Sequence, residues 1–335
     1  MPVVTEHGLG QDSKTGPIPD PSPTGGAGVG PGRFAGNVVF FVFSSVFYLS
    51  FFLAILAPFP IILAHLHRGR LFAVMASVIN AALVFALSRW SGLAGYAVFT
   101  LATSWAVAEL LRRRQTRSGS RNAAAAGSLF WLLIGSASLV LLVALSGVAV
   151  WSKLTNVAPW AELNKGLDWL GREMIAQAPH GTMDAADWAE QKEQILRNFP
   201  STFMVAILLQ CWVAMVLTLR VNPTRIRERL GIPASFQRLW KNPDFLVWPT
   251  IVAGFGAVVA GGLAADWCWN LLKVFLALYG LQGLAILSGI FDLWKLRGLV
   301  RLLAFFLVFA LMLPLVLALG FFDLWFDFRA KFRQS

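Results

Sequence analysis

The chain has 335 residues, 57% of them hydrophobic and only 13% charged, with a formal net charge of +11. A soluble domain of this length carries roughly a quarter charged residues to cover its surface, so the composition excludes an ordinary soluble fold. Nucleic-acid binding is excluded by position: the Lys and Arg residues cluster between apolar blocks, where membrane topology places them.

The first 33 residues form a separate tail. Gly16 to Gly32 is dense in Pro, Gly and Ser, cannot bury a core, and is expected to be disordered. It is no signal peptide, because the apolar block that follows is too long and leads into prolines instead of a small-residue cleavage site. That block runs from Gly36 to Leu63 and carries Pro58 and Pro60 near its end. Proline lacks a donor and clashes with the preceding turn, so a span from about Gly36 to Ala57 with an irregular exit is expected.

Further apolar blocks predict spans at about Leu71–Ser88, Leu93–Leu111, Ala125–Trp151, Ser201–Leu219, Phe245–Ala264, Trp267–Phe291 and Leu299–Phe321. The expected fold is therefore all-α: a polytopic transmembrane helical bundle of about eight spans across residues 34–329. The second and third spans are separated only by Arg89-Trp90-Ser91-Gly92 and should form a helical hairpin. Cys211 and Cys268 lie in or beside apolar blocks without a CxxC partner, which predicts two lipid-buried thiols.

Charge orients the bundle. One set of connections holds Arg68 and Arg70, then Arg112, Arg113, Arg114, Arg117 and Arg121. The same set continues with Arg220, Arg225, Arg227, Arg229, Arg238 and Lys241, and ends with Lys295, Arg297 and Arg301. The opposite short loops hold only Arg89, so the basic loops are expected in the cytoplasm and both termini outside. Arg329, Lys331 and Arg333 in the C-terminal tail pull against that placement.

The segment 153–198 is the one substantial extramembrane stretch. Trp160, Leu163, Leu167, Leu170 and Met174 recur at three- and four-residue steps, predicting an amphipathic helix. Pro179-His180-Gly181 should break it, and a more polar helix from Met183 to Arg197 should follow, capped near Thr182 or Asp184. This hairpin is expected outside, with its Trp-bearing face on the bilayer surface or over the mouth of the bundle. The loop 222–243 is expected in the cytoplasm, where its basic residues meet anionic headgroups or a protein partner.

Polar residues within apolar spans are the candidate ligand-binding or intramembrane contacts. They are Asn80 in the second span, Gln210 in the fifth, and Asp266, Asn270, Lys273 and Gln282 in the seventh. At 100° per residue the first three of that last group share one helix face within about 60°, and Gln282 points about 180° from Lys273. Lys273 either contributes to a polar site near the outer surface or snorkels outward, paired with Asp266. Interhelical hydrogen bonding is the alternative for the amides. Gly254, Gly256, Gly261 and Gly262, with Gly280, Gly283 and Gly289, permit close helix approach.

Catalytic motifs are missing: there is no HExxH, GxSxG or P-loop, and His65 and His67 read as interfacial residues. No enzyme activity, cofactor or metal is expected.

Three stretches carry a resemblance: Ala57-Pro-Phe-Pro-Ile-Ile-Leu to Arg68-Gly69-Arg70, Asn270 to Lys273 with Tyr279-Gly-Leu-Gln-Gly283, and Gly320-Phe-Phe-Asp-Leu-Trp-Phe-Asp-Phe-Arg329. Together they resemble the YybS-like family of uncharacterised bacterial membrane proteins, a domain of unknown function, over about Gly36 to Arg329. The resemblance implies a multi-pass protein of the bacterial inner membrane. It also implies a loose similarity to the substrate-binding S components of energy-coupling-factor transporters. Two functions follow as expectations. One is a small-molecule binding or transport component with a cavity at the Asp266–Asn270–Lys273 face, roofed by the 153–198 hairpin and energised through a partner at the basic loops. The other is a structural or assembly protein acting through membrane or cytoplasmic partners.

Overall fold

In a bilayer every backbone N–H and C=O needs an internal partner, which leaves an apolar chain of this kind the helix as its local solution. The computed structural model describes residues 31–50, 52–117, 125–177, 184–221 and 240–328, and every regular element among them is helical. Most of the tail expected to be disordered, most of the 222–243 loop, the Pro179–Gly181 break, Thr182 and the last residues lie outside the described residues.

The first apolar block is a hairpin, not a single span. Helix α1 (Pro31–Leu49) runs into a short 3-10 turn at Ala54–Leu56, and α2 (Pro58–Arg68) starts with proline at its first turn, where the missing donor costs nothing. Ser44 of α1 donates to the carbonyl of Ala57 at 2.8 Å, which ties the two arms together. A one-residue turn at Gly69 (φ 94°) then reverses the chain into α3 (Arg70–Gly95). That left-handed φ is one that glycine adopts without strain. Phe40 and Phe41 pack against Phe72 near the start of α3, the first edge-on and the second tilted, whereas Tyr48 reaches the Gly92 carbonyl near its end. Helix α1 therefore begins on the same face as the basic turn Arg68–Arg70. This corrects the expectation that both ends of the bundle lie opposite that turn; the cause is the fold-back at the prolines.

The expected hairpin about Arg89 is present. Arg89 is non-helical (φ 56°, ψ −155°) inside the otherwise continuous run from α3 through a π-helical segment (Tyr96–Ala102) into α4 (Thr103–Arg117). Trp105 donates to Ser77 at 3.2 Å and Arg70 pairs with Glu109 at 2.7 Å. In one straight helix residues 28 positions apart lie about 42 Å apart, so the run must double back. Helix α5 (Ala125–Thr155) follows, and then α6 (Pro159–Gln177).

Helix α7 (Ala185–Val221) corrects a second expectation: the polar helix and the fifth span are one 37-residue helix that continues through Pro200. Asp184 caps it, accepting the Ala186 and Asp187 N–H groups at 2.8 Å, while Asp187 returns the bond to the Asp184 N–H. At 1.5 Å per residue α7 is about 55 Å long, well beyond the ~30 Å hydrocarbon core. Its first half pairs with α6 as an antiparallel stalk. Lys192 bonds Asp168 at 2.6 Å, and the Trp188 ring lies where a side chain on Gly171 would be.

Helix α8 (Val247–Val259) leads into α9 (Gly262–Leu293), followed by α10 (Gly298–Leu311) and α11 (Leu313–Phe326). Helices α9 and α11 cross in direct backbone contact. A Cβ on Gly320 would lie 1.8 Å from the Tyr279 carbonyl oxygen, and one on Gly283 would lie 2.0 Å from that of Val316.

The count of about eight spans is not reached. Among the described residues four helical runs are long and apolar enough to cross a bilayer: Arg70–Arg113, which folds back on itself at Arg89, Leu129–Thr155, Ala185–Val221 and Gly262–Leu293. The pair Gly298–Val308 and Leu313–Phe326, bent by 91°, makes a fifth if taken as one broken span. Val39–Leu49, Ala54–Arg68 and Asp244–Val259 are shorter apolar helices. Counting each apolar block as a crossing fails because prolines and turns divide the blocks. The 13 residues of α8, for instance, extend only about 20 Å.

Candidate functional site

A polar side chain in an apolar helix is defined by the partners it finds. Asn80, completely buried in α3, accepts the Ser45 N–H at 2.8 Å and donates to the carbonyls of Phe40 (3.0 Å) and Ala76 (2.8 Å). It ties α3 to the backbone of α1. Gln282 does the same work on α9: it accepts the Asn242 N–H at 2.8 Å and donates to the Asp323 carboxylate at 2.9 Å. Its place opposite Lys273 on the helix follows the angular expectation. Gln210 makes a weaker contact, 3.5 Å to the Ala54 carbonyl, beside a cavity of about 290 Å3 that Tyr48 and Phe99 also line.

The other three candidates sit where α7 meets α9. Pro200 cannot donate to Leu196, and its ring presses on that carbonyl. One step on, an uninterrupted helix pairs Ser201 N–H with Arg197 C=O. Here each of these groups meets the Asn270 amide: Ser201 N–H donates to Oδ1 at 3.0 Å, and Nδ2 donates to the Arg197 oxygen at 2.9 Å. Nδ2 also bonds the Asp266 carbonyl at 2.8 Å. Asp266 thus contributes its backbone to the cluster. Lys273 reaches across to the Asn198 side-chain oxygen; the pairing with Asp266, one of the two alternatives, is not made.

Below that hydrogen bond the surfaces of α7, α9 and α11 part to leave a cavity of about 560 Å3. This falls within the roughly 300–1,000 Å3 of ligand sites. Val205 and Leu209 line it from α7, Ala277 and Leu281 from α9, and Val316 and Leu317 from α11. Its wall is almost wholly apolar, and Lys273 is the one charged residue on it. Among the described residues Lys273 enters no ion pair; its partner is a neutral amide. Above it, a second cavity of about 350 Å3 is lined by Gln191, Gln194, Ile195, Asn198, Phe199 and Thr202. Thr202 borders both spaces.

Helices α7 and α9 run in the same direction, since Ser201 meets Asn270 at one end and Arg220 lies near Asp292 at the other. The cavity therefore descends from the stalk end toward the middle of the bundle, with Lys273 at its upper rim. Arg301 marks the far end, bonded to Asp292 and to the Ser288 hydroxyl (2.6 Å).

Sequence reasoning missed Asn198, Thr202, Gln191 and Gln194, because the 153–198 segment reads as a separate external unit. Asn198-Phe-Pro200 immediately before an apolar run was the available signal. His65 is buried against Trp105, ring centroids 4.9 Å apart, with neither ring nitrogen bonded, in the last turn of α2 beside Arg68. Cys211 and Cys268 are free thiols, the first of them fully buried.

No match was found among curated proteins or among solved structures. A family model described as "Predicted membrane protein (DUF2232)" matches residues 37–324, which includes every candidate residue above. The chain accordingly belongs to the DUF2232 family of membrane proteins of unknown function.

Proposed function

We propose that this protein is a small-molecule binding or transport component of the bacterial inner membrane, and not an enzyme. One observation carries the reading: among the described residues, the apolar cavity between α7, α9 and α11 has one cation on its rim, Lys273, with no carboxylate paired with it. A charge partly withdrawn from water, as the half-buried Lys273 is, costs free energy until a counter-charge or hydrogen bonds compensate it, so the site favours an anionic group on a largely apolar molecule. The narrower kinship, to YybS-like proteins and loosely to S components of energy-coupling-factor transporters, agrees with a binder that takes its energy from a partner. The basic face, with Arg68, Arg70 and Arg112, is where that partner would dock.

The test is mild-detergent purification followed by native mass spectrometry and metabolite extraction. A stoichiometric small molecule that is lost when Ala277→Phe fills the cavity supports the reading. Wild-type protein and the Ala277→Phe variant with the same bound species, or none, would defeat it.

A second reading, an assembly protein working through protein partners, draws on the stalk. Trp160, Trp169, Leu170 and Met174 on α6 remain exposed, and the buried amides mostly serve helix–helix bonds. Crosslinking from Trp169 in intact membranes separates the two: a protein adduct supports assembly, and adducts to lipid alone support binding.

A further inference from the structure

We infer that the α7–α9–α11 cavity holds one chain of an anionic phospholipid from the leaflet nearer the stalk, with its phosphate at Lys273 and its headgroup hydroxyls on the amides above. The inference rests on the binding function proposed above and names its ligand class. Three features define the class.

The first is length. From Lys273 to Leu284 the wall of α9 descends eleven residues, about 16 Å at 1.5 Å each. That is close to half of the ~30 Å hydrocarbon core, the depth of a single leaflet. The space is apolar over that depth, so it accepts a hydrocarbon chain and offers nothing to a polar metabolite.

The second is charge. Lys273 stands at the top of the chain-sized space and is held there by Asn198, with no carboxylate among the described residues to neutralise it. An ammonium at the upper end of an apolar slot matches the phosphate of a lipid whose chain fills the slot. A zwitterionic headgroup would bring a second cation into the same neighbourhood.

The third is what lies above Lys273. Gln191, Gln194, Asn198 and Thr202 line the adjoining cavity. Amides and a hydroxyl donate and accept hydrogen bonds without adding charge, which suits a glycerol headgroup better than a choline. The stalk's own helix supplies this strip, so α7 recognises the headgroup and the chain along one continuous face.

The experiment uses the full-length protein, delipidated in mild detergent and titrated with phosphatidylglycerol or phosphatidylcholine of identical chains. Soluble glycerol 3-phosphate forms a third arm, and bound species are counted by native mass spectrometry. The expected result is one tightly bound phosphatidylglycerol, weaker phosphatidylcholine and no retained glycerol 3-phosphate. Lys273→Met should reduce the preference for phosphatidylglycerol by about tenfold, the scale of a charge-assisted hydrogen bond. Lys273→Arg should keep it, and Ala277→Phe should remove the tight site for both lipids. Arg112→Gln, on the opposite face, should change nothing at this site.

Equal binding of the two lipids, or an undiminished preference in Lys273→Met, would overturn the inference. So would retention of glycerol 3-phosphate, which would assign the site to a soluble phosphate. If a different apolar small molecule occupies the cavity and leaves in Ala277→Phe, the lipid assignment falls while the binding function stands. If Ala277→Phe alters no bound species at all, both fall.

Discussion

Replacing Asn270 with leucine keeps the branching and number of side-chain heavy atoms and removes the amide that joins α7 to α9. Three hydrogen bonds go: from Ser201 N–H at 3.0 Å, to the Arg197 carbonyl at 2.9 Å and to the Asp266 carbonyl at 2.8 Å. If both α7 groups were stranded, the cost would be about 1–3 kcal/mol each. They are also natural i→i−4 partners, and interhelical bonds measured in membranes average ~0.6 and reach ~1.7 kcal/mol because the alternatives are rarely bare. Pro200 lies between them and resists straightening, which places the cost of Asn270→Leu at the upper end, about 2 kcal/mol. A thermal unfolding scan of the detergent-solubilised protein should show a Tm lower by several degrees. The decisive step is the double-mutant cycle with Pro200→Ala. Without the ring, Ser201 and Arg197 can pair directly, so Asn270→Leu should cost much less in that background, with a coupling above about 0.5 kcal/mol. Additive losses would refute the claim that the amide compensates for the proline.

Other outcomes follow from the packing. Gly320→Ala puts a Cβ 1.8 Å from a backbone oxygen that has no flexible end to yield. Helices α9 and α11 must then separate by more than an ångström, at about 1–3 kcal/mol, and unchanged thermal stability would contradict the crossing. Asn80→Leu removes two bonds between α1 and α3 and one within α3, and should cost about 1–2 kcal/mol. Faster proteolysis in the 50–57 turn would report it, and wild-type cleavage rates would count against it. Gly171→Leu drives a side chain into the Trp188 ring and should open the stalk, seen as a red shift in Trp fluorescence. An unshifted spectrum would contradict that packing.

The helical class, the Arg89 hairpin and the Asp184 cap were legible because each depends on local chemistry: long apolar runs, a four-residue gap and a side chain three residues from its partner. The angular sorting of α9 was legible too, since helix geometry alone separates Lys273 from Gln282. What lay beyond local reading depended on partners far apart in the chain. Pro58 and Pro60 announce a break, but only contacts such as Ser44 with Ala57 decide that the break is a full reversal. Pro200 marks a plausible end for a polar helix, yet α7 passes through it, with Asn270 of α9, 69 positions away from Ser201, bonded beside it. Lys273 chose Asn198 over the near-sequence Asp266 for the same reason: the helix that faces it is not its own. The span count failed because hydropathy measures apolar length and is blind to where a chain turns within it.

The central claim is that the cavity below Lys273 is a lipid-chain site with an anion at its rim. A cryo-electron microscopy map of the full-length protein in phosphatidylglycerol nanodiscs tests it most directly. Elongated density is expected between α7, α9 and α11 down to the level of Leu284, with a headgroup peak at the Lys273 ammonium. A cavity closed by its own side chains, or lipid density that bypasses Lys273, would contradict it.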